Sequence, residues 1–153
     1  MPEKIEHRIG IPVPAAVVWE VISDVAGWPA WNPIYPKAAG KVGFGERLSL
    51  TLALPEQTPR EIDPVVFDWA PDEAIHWRTQ LAGGLGWAVR FLEIEAMSES
   101  GCIFSNGEIF GGLFGPGTAR RLRRPLKAGF AALGEAVKAR AEALWRERGG
   151  EAT

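Results

Sequence analysis

The sequence predicts an α+β fold: a curved antiparallel sheet of about seven strands wrapped around one long C-terminal helix, with two short helices after the first strand. Three observations predict it. From about Ala38 to Gly112, short β-like runs alternate with Gly, Pro and Asp, the texture of a meander rather than of β-α-β units. Beyond Thr118, the residues Leu122, Leu126, Phe130, Leu133, Val137, Ala141 and Leu144 step by four, four, three, four, four and three, an apolar stripe at helical period. The chain has 153 residues, the length of one domain, so 1–153 is expected to form a single domain.

Each element has its own signal. Residues 3–11 alternate loosely and read as a strand, stopped by Pro12 and Pro14. Pro14 suits a helix start, where its missing N–H costs nothing. Ala15, Val18, Trp19 and Ile22 then carry helical spacing over 15–23. The prolines of 27–33 allow at most a turn or two of helix. Strands are expected over 38–42, 46–54, 60–69, 73–80, 86–97 and 102–112. The last helix is expected from a Thr118 cap to about Arg146, roughly 43 Å at ~1.5 Å per residue. Pro125 should kink it or mark its true start, and Gly149 and Gly150 end it. A long helix cannot meet a strongly curved sheet everywhere, and the gap becomes a pocket. Seven Trp and seven Phe against one Tyr fit either an aromatic core or an aromatic-lined cavity.

Composition removes several function classes. Net charge is −2, from 17 Lys+Arg and 19 Asp+Glu, so no overall positive field exists to hold nucleic acid. One cysteine, Cys102, forms no intrachain disulfide, and two histidines make no zinc site, so no metal is expected. The longest uncharged stretch, 25–36, is broken by three prolines, whereas a membrane span needs about 20 apolar residues. The charged N-terminus is unlike a signal peptide, so a cytoplasmic location is expected. There is no Gly-x-Ser-x-Gly, phosphate-binding loop, Cys-x-x-Cys or His-Glu-x-x-His, and no cofactor is expected.

Four segments together resemble a family. They are 11–14 leading into 18–24, the stretch Trp28-Pro29-Ala30-Trp31-Asn32-Pro33, the run Ile75-His76-Trp77-Arg78, and Glu108-Ile109-Phe110-Gly111-Gly112 before the long helix. Their order and spacing resemble the helix-grip fold of the SRPBCC superfamily, which includes START, birch-pollen-allergen-like and polyketide cyclase/dehydratase-like proteins. The resemblance implies binding of a hydrophobic small molecule, such as a lipid, quinone or polyketide-like or aromatic metabolite, by a carrier or sensor. It also allows a cofactor-independent cyclase or dehydratase, or a protein-interaction module like the chaperone activators. Family members often carry a His two positions before the sixth-strand aromatic. Val89 stands there, before Phe91, so no role for that His is expected.

Strand parity singles out candidates. Phe104, Asn106, Glu108 and Phe110 share one face, so a concave-facing Phe110 brings Glu108 inward, where burial would raise its pKa unless Arg90 on the next strand pairs with it. Glu108, Arg90 and Asn106 are the catalytic candidates. The structural alternatives are an internal ion pair or a bulge that turns Glu108 outward. The aromatic ligand-binding candidates are Trp28, Trp31, Tyr35, Trp77, Trp87, Phe104, Phe110 and Phe114. Leu126, Phe130 and Leu133 of the helix stripe, with Asn106 and Glu108, complete the set. Asn32 supplies a rim contact or caps a turn. Glu93 and Glu95 read as a solvated face, and Phe91 on their side requires a bulge or exposure. His76 is expected in solvent and Cys102 in the core. Residues 111–117 form a flexible connection or a gate with Leu113 and Phe114 as lid. Arg120, Arg121, Arg123, Arg124 and Lys127 crowd the helix's N-terminal end, where the macrodipole disfavours cations. They read as a solvated face or a peripheral contact with a membrane surface. A monomer or homodimer is expected, without integral membrane association.

Overall fold

In the computed structural model, which describes residues 2–150, the first strand β1 (Glu3–Ile11) leads into α1 (Ala15–Ser23) and a 3₁₀ turn at Val25–Ala30. Then come β2 (Lys37–Ala39), β3 (Ser49–Leu52), β4 (Arg60–Ile62), β5 (Val65–Ala70), β6 (Ala74–Leu81), β7 (Gly86–Ser98), β8 (Gly101–Gly112) and the long helix α2 (Gly115–Glu147). The strands form two antiparallel sheets, one in the order β1-β8-β7-β6-β5 and one in the order β2-β3-β4. Eight strands among the described residues replace the expected seven or so, because the run expected as one strand over 60–69 is two. Asp63 and Pro64 part β4 from β5, and Pro64 has no N–H to continue a ladder. One bridge, Arg47 to Val65, and a hydrogen bond from Arg47 Nη1 to the Asp63 carbonyl (3.0 Å) tie the sheets at this corner.

The helix α2 has 33 residues and spans about 50 Å at ~1.5 Å per residue. It starts earlier than expected. Phe114 is its N-cap and Pro116 lies in its first turn, so Pro116 is the proline at the start. Pro125 lies inside one continuous helix and marks no start. Thr118 is no cap either; its hydroxyl donates back to the Phe114 carbonyl at 2.8 Å. The expected stripe is the buried face, with Leu126, Phe130, Leu133, Val137 and Ala141 all buried.

In β7 the residues Gly86, Ala88, Arg90, Leu92 and Ile94 are buried on the concave side, and the odd positions face outward. Phe91 is nonetheless buried, and the shift in register lies further on, between Ala96 and Ser98. Neither a bulge nor exposure is needed. Phe91 pairs with Gly107 across the strands and lies over it, so closely that a Cβ at Gly107 would come within 2.6 Å of the ring, and Lys4 Nζ covers the other side at 5.2 Å. Trp87 pairs with Gly111 in the same way, beneath the Arg78 guanidinium at 5.7 Å. Two outward aromatics are thus shielded without reaching the interior.

Inside, α1 packs against α2, β7 and β8. Val17, Val18, Val21 and Ile22 are its buried face. Trp28 donates from its indole to the Ile22 carbonyl (3.2 Å), and Asn32 Oδ1 accepts from the backbone N–H of Ile34 and Tyr35 (3.1 and 3.2 Å). Asn32 is therefore the turn cap. These contacts close the interior at the α1 end, and the break between the sheets leaves the opposite end open.

Candidate functional site

The open end holds a cavity of about 720 Å³ between the two sheets and α2. Its apolar wall is Leu52, Trp77, Leu126 and Phe130. Its mouth is the sheet break itself, with Arg60, Glu61, Ile62, Asp63, Pro64 and Phe67, and with Arg47 paired to Asp63 at 3.3 Å. Tyr35, Arg90 and Glu108 line the interior.

Arg90 is buried, and its guanidinium makes four hydrogen bonds from its five N–H groups. It donates to the Tyr35 hydroxyl (3.3 Å), the Phe91 and Gly107 carbonyls (3.0 and 2.8 Å) and Asn106 Oδ1 (3.0 Å). Its plane also lies 4.2 Å from the Phe130 ring centre and 5.9 Å from Trp77. Asn106 in turn donates to the Phe130 carbonyl at 3.0 Å, which joins the guanidinium to the helix. A buried cation is costly unless hydrogen bonds and aromatic faces replace its lost hydration, and Arg90 has both kinds of contact.

Glu108 sits directly across the ladder from Arg90, yet among the described residues no cation lies within salt-bridge distance of its carboxyl. The guanidinium is turned toward Asn106 and Gly107 instead. Burial pushes the Glu108 carboxyl above its ordinary range, with Arg90 and then Arg60 pulling it back only in part. Burial likewise pushes the Tyr35 phenol up, against the pull of Arg90, so Tyr35 stays neutral and can donate a hydrogen bond. The cavity thus presents one held cation, one phenol and one carboxyl that holds its proton more tightly than an ordinary glutamate.

The structure brings together Tyr35, Trp77, Arg90, Glu108, Leu126 and Phe130 on this cavity, with Asn106 behind Arg90. The other candidates lie elsewhere. Trp28, Trp31, Phe104 and Leu133 surround a seam at the α1 end with no room for a water molecule. Trp28 still contacts the site indirectly, packed on Tyr35 at 5.3 Å and Trp77 at 6.1 Å. Phe110 is buried and outside the cavity lining, Trp87 is on the outer face, and Phe114 is exposed at the β8–α2 turn. The mouth residues 60–67 were hidden in the sequence by the expectation of one unbroken strand; the adjacent Asp63 and Pro64 were the signal for the break.

Two further readings are settled by contacts. His76 is bracketed on the outer face, with Nε2 2.9 Å from Glu93 and Nδ1 3.7 Å from Asp68, rather than free in solvent. The Cys102 thiol is buried and pushed up to about 11, which leaves it unreactive.

The family model described as polyketide cyclase / dehydrase and lipid transport matches residues 2–142. The chain belongs to this family. No curated protein matches it by sequence. Among solved structures, the Zhui aromatase/cyclase of a Streptomyces strain superposes with a TM-score of 0.76 at 20% identity, covering 99% of this chain and 100% of that one. A norcoclaurine synthase point mutant from Thalictrum flavum, in complex with a transition-state analogue, gives 0.69 at 15% identity, with coverages of 94% and 96%. A START superfamily protein from Mycobacterium smegmatis gives 0.69 at 15%, with 92% and 98%. At these identities the likeness is one of fold, the helix-grip fold. Membership of the family supports a hydrophobic ligand-binding or cyclase role. Among the described residues no helix is long and apolar enough to cross a membrane.

Proposed function

We propose that the cavity binds a hydrophobic small molecule with an aromatic or polyketide-like body and at least one oxygen acceptor. The observation that carries this is a cavity of about 720 Å³ whose apolar wall faces an unpaired Glu108 carboxyl. Trp77, Phe130, Leu126 and Leu52 take the apolar body. The protonated Glu108 and the Tyr35 hydroxyl donate to ligand oxygens, and the mouth between the sheets leaves a polar end in water. Titration with an uncharged naphthylamine fluorophore tests the reading. Binding at micromolar affinity or tighter, with transfer from Trp77, supports it; absence of binding to the folded protein overturns it. Native mass spectrometry of fresh protein would show a co-purified ligand directly.

A second reading is favoured by the raised carboxyl. In a dehydration, protonated Glu108 delivers its proton to a departing hydroxyl, which leaves as water; the resulting carboxylate then takes the α-proton and is restored. Arg90, with four of its five N–H groups hydrogen-bonded within the protein, positions Tyr35 and Asn106 rather than reacting. Turnover of a β-hydroxy ketone that stops in Glu108→Gln, with fluorophore binding retained, would establish the enzyme; equal turnover in both forms would dismiss it.

A further inference from the structure

The β8–α2 turn carries a surface that the cavity does not use. Leu85, Leu113 and Phe114 are exposed there, at 55%, 77% and 47%. They form one tip, because the Leu113 and Phe114 N–H groups both donate to the Leu85 carbonyl, at 2.8 and 3.3 Å. Exposed apolar side chains of this size in one cluster mark a contact site. Immediately behind the tip, residues 115–134 of α2 hold five cations and no carboxylate; the first acid is Glu135. Arg120, Arg124 and Lys127 fall on one helical face, beside the buried stripe of Leu126 and Phe130, and all three are exposed. Of the five, only Arg123 has an ion-pair partner among the described residues, Glu3 at 3.6 Å. The helical rise places Arg120 about 9 Å and Lys127 about 20 Å beyond Phe114.

We propose that this tip and the cationic face of α2 form a docking surface for an anionic lipid bilayer. Arg120, Arg124 and Lys127 lie beyond the first turn of α2 and have no ion-pair partner among the described residues, so no intramolecular pairing accounts for them; an external anionic surface does. The apolar residues stand at one end of the cationic face, the arrangement an interfacial segment needs: side chains to enter the acyl boundary, and charges to meet the headgroups. A soluble polyanion would use the charges and leave Leu85, Leu113 and Phe114 without a role. The proposal is independent of the cavity reading, since none of these residues lines the cavity.

Cosedimentation of the full chain tests it, with vesicles of phosphatidylcholine alone and with about one-third phosphatidylglycerol. Binding to the anionic vesicles should exceed binding to the neutral ones at least tenfold and fall with added salt. Each cation near the surface is worth a factor of about five, so Arg120→Glu, Arg124→Glu and Lys127→Glu together should lower binding at least about a hundredfold. Leu113→Ser with Phe114→Ser should lower it about tenfold, through lost apolar insertion. A urea melt of each variant, matched to that of the unmodified chain, serves as the folding control. Equal binding to both vesicle types, or binding unaltered by charge reversal, overturns the proposal. So does binding that survives the serine variant unchanged and is displaced by inorganic polyphosphate, which would make the patch a general anion site.

Discussion

The two ends of the interior share a roof and a floor but differ in outcome. At one end α2 and the concave sheet enclose Trp28, Trp31, Phe104 and Leu133 with no space for a water molecule; at the other they enclose about 720 Å³. The helix presents the same apolar stripe at both ends. What differs is the third wall. At the closed end α1 inserts Val18, Val21 and Ile22, and Trp19 stacks on Trp69 at 6.2 Å to bind α1 to the sheet edge. At the open end the third wall is the gap at Asp63–Pro64, bridged by the Arg47 contacts and by backbone hydrogen bonds between residues 45–48 and Pro64 and Val66. A long helix on a curved sheet therefore makes a pocket only where no second element fills the angle between them.

The sharpest break of this comparison is a truncation at each end. Phe104→Ala, in the closed seam, should cost about 3–5 kcal/mol in a denaturant melt, since no void exists to absorb the loss. Fluorophore affinity should stay unchanged. Arg90→Met lies at the boundary between the ends. It leaves Asn106 Oδ1 without its donor and uncovers Phe130, so roughly 2–3 kcal/mol should be lost. Phe130→Ala removes a wall of the open end. Its ring borders the cavity, less packing is lost, and the cost should be about 1–2 kcal/mol, below the usual range for a buried Phe. Affinity should change severalfold in the same variant. A loss of the full core size with unaltered binding would put Phe130 in closed core and remove the distinction between the ends.

The sequence allowed much of the frame to be read in advance, because β1, α1, β7, β8 and α2 are long and strongly patterned. The inward face of β8 followed from parity, and the register sets Arg90, the neighbour offered for Glu108, directly across from it. Three things did not follow. The break in 60–69 depends on one residue without an N–H, and alternation on either side conceals it. The start of α2 depends on Phe114 and Pro116 in a glycine-rich stretch with no side-chain cap. The shielding of Trp87 and Phe91 on the outer face depends on Gly111 and Gly107 across the ladder, a pairing visible only once register is known. Trp87 and Arg90 have opposite parity, so both could face inward only through a bulge. The engagement of Arg90 by Asn106 and two carbonyls, rather than by Glu108, is a matter of side-chain direction that spacing does not encode.

The smallest effect tests the open end most directly, through Glu108→Gln. Burial raises the carboxyl above its ordinary value of 4.5, so the native state keeps a proton that the unfolded chain has already released. Where the native state binds more protons, stability falls as pH rises. The stabilisation from this group is therefore complete below about 4.5 and is lost as pH climbs through the native value. Gln has no proton to lose. The variant should match wild type in acid and overtake it as pH increases, in urea midpoints followed from about pH 4 to about pH 9. Parallel curves would show a carboxyl that ionises as freely folded as unfolded, solvated or paired at the mouth. Arg90→Met sharpens the test, because Arg90 lowers the Glu108 value and its removal should extend the divergence to higher pH and enlarge it, with the same onset near 4.5. The same substitutions placed at the closed end have no carboxyl to act on, so this dependence belongs to the open end alone.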